Sequence, residues 1–468
     1  MNKGFFRSNI AIILIIAAFF ASRLYFINPM NIWWDSAVYI GMGKQIFTLG
    51  NSGLWEASRP LVFPSMLGLF WKLGAHQVWA YRMIGVFFAS GSIFLTYIIA
   101  AKLFGRNIGI LSALFLALST TFHLFSTNIM TEIPSLLFAL LAVYLYLEGR
   151  HFHAGIFFGI AFMTRFLQLF ALVPFLALAA LSSCREKSPR KILKLALGFA
   201  IPIAPYLALN QFLYGNAIEP FLKQLFLTQN TGAIYSQPLA FYLKGLFREN
   251  FIYTMAIAGV FATAARKRPE NKGMKLAVLS LAPIFAVFFA SLQHKEMRFL
   301  IIMLPYLCIL AALGLVAAIE RLESGKARQA ALYTVLGVLL IQSGFSIYAA
   351  GKGDIGYRNG NRLFQDYMDE AGIRDGIWIS SPIYAVNSGR KISELIYYPV
   401  FDESKFNVLK SRIHEAKAVV IDSCDIVCEP NAKGCDGYKQ ELLSILKKEL
   451  RRDYSNTENE CEQLILSR

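Results

Sequence analysis

Long apolar runs recur along the chain, at roughly 9–27, 79–101, 108–126, 132–148, 151–165, 167–183, 193–209, 249–264, 276–292, 298–318 and 330–349. A helix needs about 20 apolar residues to cross a bilayer, and the run 151–165 lies near the lower limit. The pattern predicts about eleven membrane-spanning helices. Three stretches interrupt it: 28–78, 210–248 and everything after about residue 350. Within the first, Ser36–Leu49 and Leu61–Leu73 mix apolar and polar positions at helical spacing and predict two short amphipathic helices on the membrane surface. Trp33, Trp34, Trp55 and Trp71 suit the headgroup level, and the pair reads as a lid or floor for a site at that face.

Past Gly351-Lys352-Gly353-Asp354 the pattern changes. Arg362–Ala371, Ser404–Glu415 and Gln440–Leu450 predict helices, and Gly376–Ser380 and Ala418–Ile421 predict strands. Such alternation predicts a small α/β layer. The expected fold is a polytopic α-helical membrane protein. Its membrane domain spans 1–350 and includes the first external loop 28–78. A soluble domain occupies 351–468.

Composition agrees. Of 468 residues 56% are hydrophobic and 16% charged, where soluble proteins carry about 25% charged residues. The net charge of +16 raises nucleic-acid binding, but the basic residues form short runs between apolar segments rather than one stripe. Lys3 and Arg7, Lys102 and Arg106, Arg150, then 185–194, 266–275 and 321–328 alternate with the predicted helices. They place the N-terminus in the cytoplasm and the three large polar stretches outside. The first run has no small-residue cleavage site before Arg23 and Tyr25, so it reads as a spanning helix rather than a removed signal. No internal repeat stands out. Cys424, Cys428 and Cys435 fall in the external domain, where two of the three can form a disulfide. Zinc held with His414 is the alternative, and no clear metal-ligand set appears.

Ionisable residues at the membrane edge are costly and usually mark function. Four groups fall on the predicted outer side. One is Trp33-Trp34-Asp35 with Tyr39, Lys44, Glu56 and Arg59-Pro60. The second is Thr131-Glu132-Ile133-Pro134, preceded by His123 and Asn128, where an acid before Pro is also ordinary helix-start chemistry. The third is Thr164-Arg165 with Gln168. The fourth is Gln293-His294-Lys295-Glu296-Met297-Arg298-Phe299. A carboxylate can accept a proton from an attacking hydroxyl, and cations can steady a departing phosphate. These are the parts of group transfer from a lipid phosphate.

With these residues the chain resembles the GT-C superfamily, the polytopic glycosyltransferases that use polyprenyl-phosphate sugars. It looks most like protein O-mannosyltransferases and the aminoarabinose transferases that modify lipid A. Trp34-Asp35 with Tyr39, Arg59-Pro60-Leu61 with Pro64, Thr131–Pro134 and Thr164-Arg165 carry the likeness. His294–Phe299 is similar to the H-K-E-x-R-F signature of mannosyltransferases that build lipid-linked glycans.

The resemblance implies a donor sugar on dolichyl or undecaprenyl phosphate, transferred with inversion to a hydroxyl of a protein, lipid or glycan. Asp35 and Glu132 match the family's acids and are the candidate catalytic residues. Tyr39, Glu56, Arg59, Arg165, His294, Lys295, Glu296 and Arg298 are candidate substrate contacts. No classical cofactor is implied beyond the lipid-linked donor, and metal dependence stays open. Many relatives carry Asp-Glu in the first loop where this chain has Asp35-Ser36, which leaves Glu56 or Glu132 to compensate or implies a different acceptor class. Ser388-Gly389-Arg390 either touches the acceptor or only packs on the membrane part. The competing readings are a secondary transporter, for which matching halves are missing, a polymer ligase using lipid-linked glycans, and a flippase or scaffold.

Overall fold

A computed structural model of the chain describes residues 3–25, 31–230, 235–264, 271–351, 357–358, 369–428, 434–458 and 461–468. Two compact units emerge. The first comprises Met1–Ile27, Arg82–Ala217 and Gln237–Gly353, and the second Asn28–Tyr81, Ile218–Ser236 and Asp354–Arg468. Residues 28–81 thus group with the C-terminal segment rather than with the membrane helices.

The first unit is helical. Its elements are α1 (Lys3–Tyr25), the body of α4 (Val78–Phe104), α5 (Arg106–Ala117), α6 (Thr120–Phe125), α7 (Glu132–Leu147), α8 (His151–Thr164), α9 (Leu169–Glu186) and α10 (Arg190–Tyr214). After these come α12 (Phe241–Glu249), α13 (Met255–Ala264), α14 (Lys272–Ser291), α15 (Leu304–Glu320) and α16 (Gly325–Gly351). Among the described residues, five helical segments are long and apolar enough to cross a bilayer, and six shorter apolar ones of 10–17 residues accompany them. Each predicted apolar run overlaps one of these segments at least in part. Lipid supplies no hydrophobic drive between helices, so close packing of small residues substitutes for it. At the α13–α15 crossing a Cβ on Gly314 would lie 2.7 Å from the Gly259 nitrogen, so any larger residue there would force the helices apart.

The third predicted span is broken. α5 ends at Ala117, and Ser119 starts α6 by accepting from the Phe122 amide at 3.2 Å. The cause lies in another helix. Buried Glu249, at the end of α12, takes the Ser119 hydroxyl, the Thr121 amide at 3.2 Å, the Thr121 hydroxyl at 2.5 Å and the Tyr253 hydroxyl at 3.3 Å. A carboxylate this deep requires several donors, and Ser119 with the first turn of α6, joined by Tyr253, provides them.

The second unit is built on a sheet. Its strands are β3 (Ile377–Ile379), β4 (Ile392–Leu395), β5 (Ala418–Asp422), β6 (Arg451–Glu458) and β7 (Cys461–Ser467), in the order β4-β3-β5-β7-β6. β3 runs parallel to both neighbours, and β5–β7 and β7–β6 are antiparallel. A two-stranded ladder joins β1 (Asn31–Ile32) to β2 (Tyr357–Arg358). The two expected strands are present. The expected helix Ser404–Glu415 becomes α17 (Glu403–Ser411) plus a 3₁₀ turn, and the expected helix Gln440–Leu450 overlaps α18 (Cys435–Glu449), which starts earlier and ends one residue short of Leu450. Most of the helix expected at Arg362–Ala371 lies outside the described residues.

Alternation along the strands gives the sheet two apolar faces. Trp378, Val419, Ile421, Leu464 and Leu466 face α17 and α18 through Phe406, Leu409, Leu442 and Leu446. Ile377, Ile379, Ala418, Val420 and Ile465 face Val38 and Met42 of α2 (Trp34–Phe47), and Leu54. The expected loop helices α2 and α3 (Val62–Lys72) therefore form where predicted, but α2 is not a surface helix: Ser36 to Lys44 are all buried. A Cβ on Gly43 would lie 2.7 Å from the Gly68 nitrogen, so glycine lets α2 and α3 touch. Strand-like pairing extends the join, with Gly53 donating to Arg390 at 2.9 Å and accepting from Ile392 at 2.8 Å. Lys44 buries its amine against the carbonyls of Ala385, Val386 and Ser388. Burial pushes that amine down to about 8.

Two disulfides close the domain, Cys428–Cys435 and Cys424–Cys461. The first joins two of the three expected cysteines. The second reaches 37 residues along the chain to the last hairpin. No zinc set with His414 forms, since the sulfurs are paired and His414 Nδ1 bonds the Ser411 carbonyl at 2.9 Å. Beside the Cys424–Cys461 bridge, Asp425 accepts from Ser380. Burial, and then the neighbouring Asp422, push its carboxyl up to about 7.

The folded chain thus keeps a proton that the unfolded chain releases. Stability should fall as pH rises from about 4 to about 7, by up to about 4 kcal/mol. Asp425→Asn removes this penalty. Thermal unfolding of the full-length protein should show the variant more stable than wild type at pH 8, with the advantage shrinking at pH 5. An equal difference at both pH values would contradict the assignment.

Candidate functional site

In the second unit, Asp35 occupies the first turn of α2, where the helix macrodipole favours an anion. Arg59, on the segment leading into α3, draws the group together. Its Nη2 meets the Asp35 carboxylate at 2.8 Å, its Nε meets Glu56 at 2.7 Å, and its Nη1 donates to the Tyr39 hydroxyl at 3.4 Å. The Ser58 hydroxyl completes Glu56 at 2.8 Å. The Arg59 guanidinium also lies over the Tyr39 ring, 5.5 Å from its centre. Four expected residues, Asp35, Tyr39, Glu56 and Arg59, therefore form one network in which two carboxylates share one cation. Asp35 keeps 19% of its side chain exposed and Arg59 16%.

The first unit brings together three motifs far apart in sequence. Glu132 begins α7, Arg165 ends α8, and Arg298 sits in the 3₁₀ turn Met297–Ile302 before α15. The Glu132 side chain is 1% exposed. Arg165 approaches it at 3.0 Å and Arg298 at 3.8 Å. These are charge contacts rather than aligned hydrogen bonds, so both Glu132 oxygens keep acceptor capacity among the described residues, and Arg165 Nε likewise keeps a donor. Arg298 turns its Nη2 to Glu296 at 2.7 Å, and His294 Nε2 meets the same carboxylate at 2.7 Å. Burial alone would raise Glu296, but the His294 hydrogen bond and the Arg298 charge outweigh it and hold this carboxyl below its ordinary value. Phe299 lies between the two arginines, 5.5 and 5.6 Å from them, which favours both cations.

Lys295 lies apart from this cluster. Its amine donates to the Gln237 carbonyl at 3.0 Å and to that of Leu292, with only 7% of the residue exposed. It ties the turn 292–297 to the segment beginning at 237. Thr131 and Met130 are partners that sequence reasoning had not assigned a role: Thr131 accepts from Arg165 at 3.1 Å, and the Met130 sulfur lies 3.6 Å from Arg298. Glu249 was missed because it opens an apolar run. Among the described residues, the one group of three possible metal ligands is Asp422, Cys424 and Cys461. Its two sulfurs are the disulfide.

Residues 58–208 match the family model described as dolichyl-phosphate-mannose-protein mannosyltransferase. No curated protein sequence matches the chain. Among solved structures, ArnT from Cupriavidus metallidurans bound to undecaprenyl phosphate is 12% identical, with a TM-score of 0.65 and 98% of each chain covered. Its apo state gives 13%, 0.63 and 97% of each chain. The Archaeoglobus fulgidus oligosaccharyltransferase tethered to an acceptor peptide is 11% identical, with a TM-score of 0.61, covering 98% of this chain and 74% of that one. The chain is thus a polytopic membrane protein with a small C-terminal sheet domain, and its fold is that of the GT-C glycosyltransferases its motifs resemble.

Proposed function

We propose that the protein transfers a sugar, mannose or a related hexose or pentose, from a polyprenyl or dolichyl phosphate to an acceptor hydroxyl on a protein, lipid or glycan. The observation that carries this reading is the Asp35–Arg59–Glu56 network. It joins a partly exposed carboxylate to Arg59, which stands at the start of the segment matched by the mannosyltransferase family model, while Asp35 and Glu56 precede that segment. The ArnT structure, whose bound ligand is undecaprenyl phosphate, supports the choice of donor class.

In the reaction, the acceptor oxygen attacks the anomeric carbon and forms the new glycosidic bond. The bond from that carbon to the phosphate oxygen breaks, and the polyprenyl phosphate leaves with the electron pair. The configuration inverts. Asp35 takes the hydroxyl proton, a role worth about 10²–10⁴-fold in rate. Arg59, freed from part of its contact with Asp35, turns toward the departing phosphate. Within the first unit taken by itself, Arg165 and Arg298 are cations suited to a phosphate, and Glu132 holds both guanidiniums in place. His294 and Glu296 orient Arg298, and Lys295 fixes the turn that carries them. Glu56 stands in for the acid that the Asp35-Ser36 pair lacks.

The site faces the extracytoplasmic side in this reading, with the N-terminus in the cytoplasm. The two disulfides support it, because such bonds persist in oxidising compartments. The test is donor choice. Purified protein should transfer from a polyprenyl-phosphate sugar and give no product from the corresponding nucleotide sugar. Efficient transfer from the nucleotide sugar without lipid would overturn the proposal.

A further inference from the structure

A basic corner joins α9 to α10 in the first unit, among residues that neither constellation uses. Between 185 and 194 the chain carries Arg185, Lys187, Arg190, Lys191 and Lys194 against one acid, Glu186. The turn is tight. α9 closes where the Ser188 amide donates back to the Ser183 carbonyl at 3.0 Å, and α10 opens where the Leu193 amide donates to the Pro189 carbonyl at 2.9 Å. The five cations are therefore gathered in one helix-turn-helix corner, and Arg185, Lys187, Arg190 and Lys194 are exposed. The first turn of α14 abuts α9 nearby. A Cβ on Gly273 would lie 2.8 Å from the Leu178 side chain, and the adjoining Lys272 is exposed.

The basic face of α10 continues as an apolar row. Leu193, Leu197 and Ile201 recur every four residues and are 54%, 53% and 51% exposed. At helical spacing they share a face with Arg190 and Lys194. A different face of α10 does the packing: Gly198 sits against α8, where a Cβ would lie 2.1 Å from the Phe152 carbonyl.

Membrane orientation asks for basic residues in a loop and sets no arrangement among them. The helix gains nothing from this arrangement. α10 has no acid in its first turn, and Arg190 and Lys191 there oppose the positive end of the helix dipole. Arg190 and Lys194 are like charges four residues apart, which repel. An anion from outside the chain offsets both costs. A soluble anion would meet the cations and leave the apolar row unmatched. A phospholipid with a net negative head matches both parts.

We propose that the α9–α10 corner is a binding site for an anionic phospholipid. Arg190 and Lys194 hold its phosphate, with Arg185 and Lys187 beside them, and an acyl chain lies along Leu193, Leu197 and Ile201. The proposal does not rest on glycosyl transfer, and binding can be read with no sugar or acceptor present.

The test uses delipidated full-length protein in a neutral, phosphate-free detergent. Its thermal midpoint is followed while phosphatidylglycerol, phosphatidylcholine or inorganic phosphate is titrated. A saturable rise is expected with phosphatidylglycerol, shrinking as salt is added, and none with the other two. An equal rise with phosphatidylcholine would take the cations out of the binding. An equal rise with inorganic phosphate would take the lipid out of it. Either result overturns the proposal, as does the absence of any response.

The double variant Arg190→Gln with Lys194→Gln should weaken the apparent affinity for phosphatidylglycerol about tenfold or more. Without lipid it should unfold no earlier than wild type, because it removes a like-charge pair. Arg321→Gln with Lys326→Gln, at the turn between α15 and α16, removes the same charge from another corner and should leave the affinity unchanged. An unaltered response in the first variant would assign Arg190 and Lys194 to membrane orientation alone and overturn the site. Equal losses in the two variants would reduce it to a general effect of charge and overturn it as well.

Discussion

Asp35→Asn should lower sugar transfer by about 10²–10⁴-fold, the range for loss of a positioned base, while donor affinity changes little. Asn keeps the shape of the side chain and can still accept from Arg59, so the 2.8 Å contact that holds Asp35 at the start of α2 survives in weaker form. What it loses is the ability to take a proton. Two features keep folding out of the result. The side chain is 19% exposed, and the apolar anchorage of α2 rests on Val38 and Met42, further along the helix. Turnover of a labelled polyprenyl-phosphate sugar, measured beside donor affinity, checks this. Near-normal turnover would remove Asp35 from the chemistry. Equal loss in donor binding would make it a binding residue.

Arg298→Gln should act on the other term, raising the donor KM about 100-fold while kcat stays within about tenfold, as expected for losing a charge-assisted contact worth about 1.5–3 kcal/mol. Arg298 already bridges Glu296 and the buried Glu132, so its fork is fixed before any donor arrives. Lys295→Met is the contrast. Its amine is spent on two backbone carbonyls, so the variant should lose thermal stability, with activity falling only as far as the turn loosens. Steady-state kinetics with unfolding midpoints for both variants separates the two roles. A KM effect at Lys295 as large as at Arg298, with stability unchanged, would reverse the assignment.

Much of this architecture is legible in the sequence, for a physical reason. A helix that crosses lipid needs about 20 predominantly apolar residues, so the apolar runs mark helical segments with little regard to what packs against them. What depends on a partner is not legible in the same way. The break at Ser119 lies inside an apolar run, and only Glu249, 130 residues on, accounts for it. α2 reads as a surface helix because its polar positions look solvent-facing; a sheet formed more than 300 residues later covers it. β6 and β7 escape notice because Arg451–Glu458 is almost wholly polar, and the hairpin carries away Cys424's partner, Cys461.

The site divides along the same line. Its ionisable residues stand out against apolar surroundings, and two groups of them do converge, Asp35 with Arg59 and Glu132 with Arg165 and Arg298. The direction in which a side chain points is another matter. Lys295 sits between His294 and Glu296 in sequence, yet faces carbonyls, because the extended backbone at Glu296 turns successive side chains to opposite sides.

The central claim is that a sugar leaves a lipid monophosphate at this site. The most direct measurement is the lipid product released per sugar transferred, with purified protein, a labelled polyprenyl-phosphate sugar and an acceptor. The account predicts one polyprenyl monophosphate released for each sugar joined to the acceptor, with the anomeric configuration inverted. Release of a polyprenyl diphosphate, as for a ligase of lipid-linked glycans, would contradict it. So would vesicle uptake of the substrate with no glycosidic bond formed.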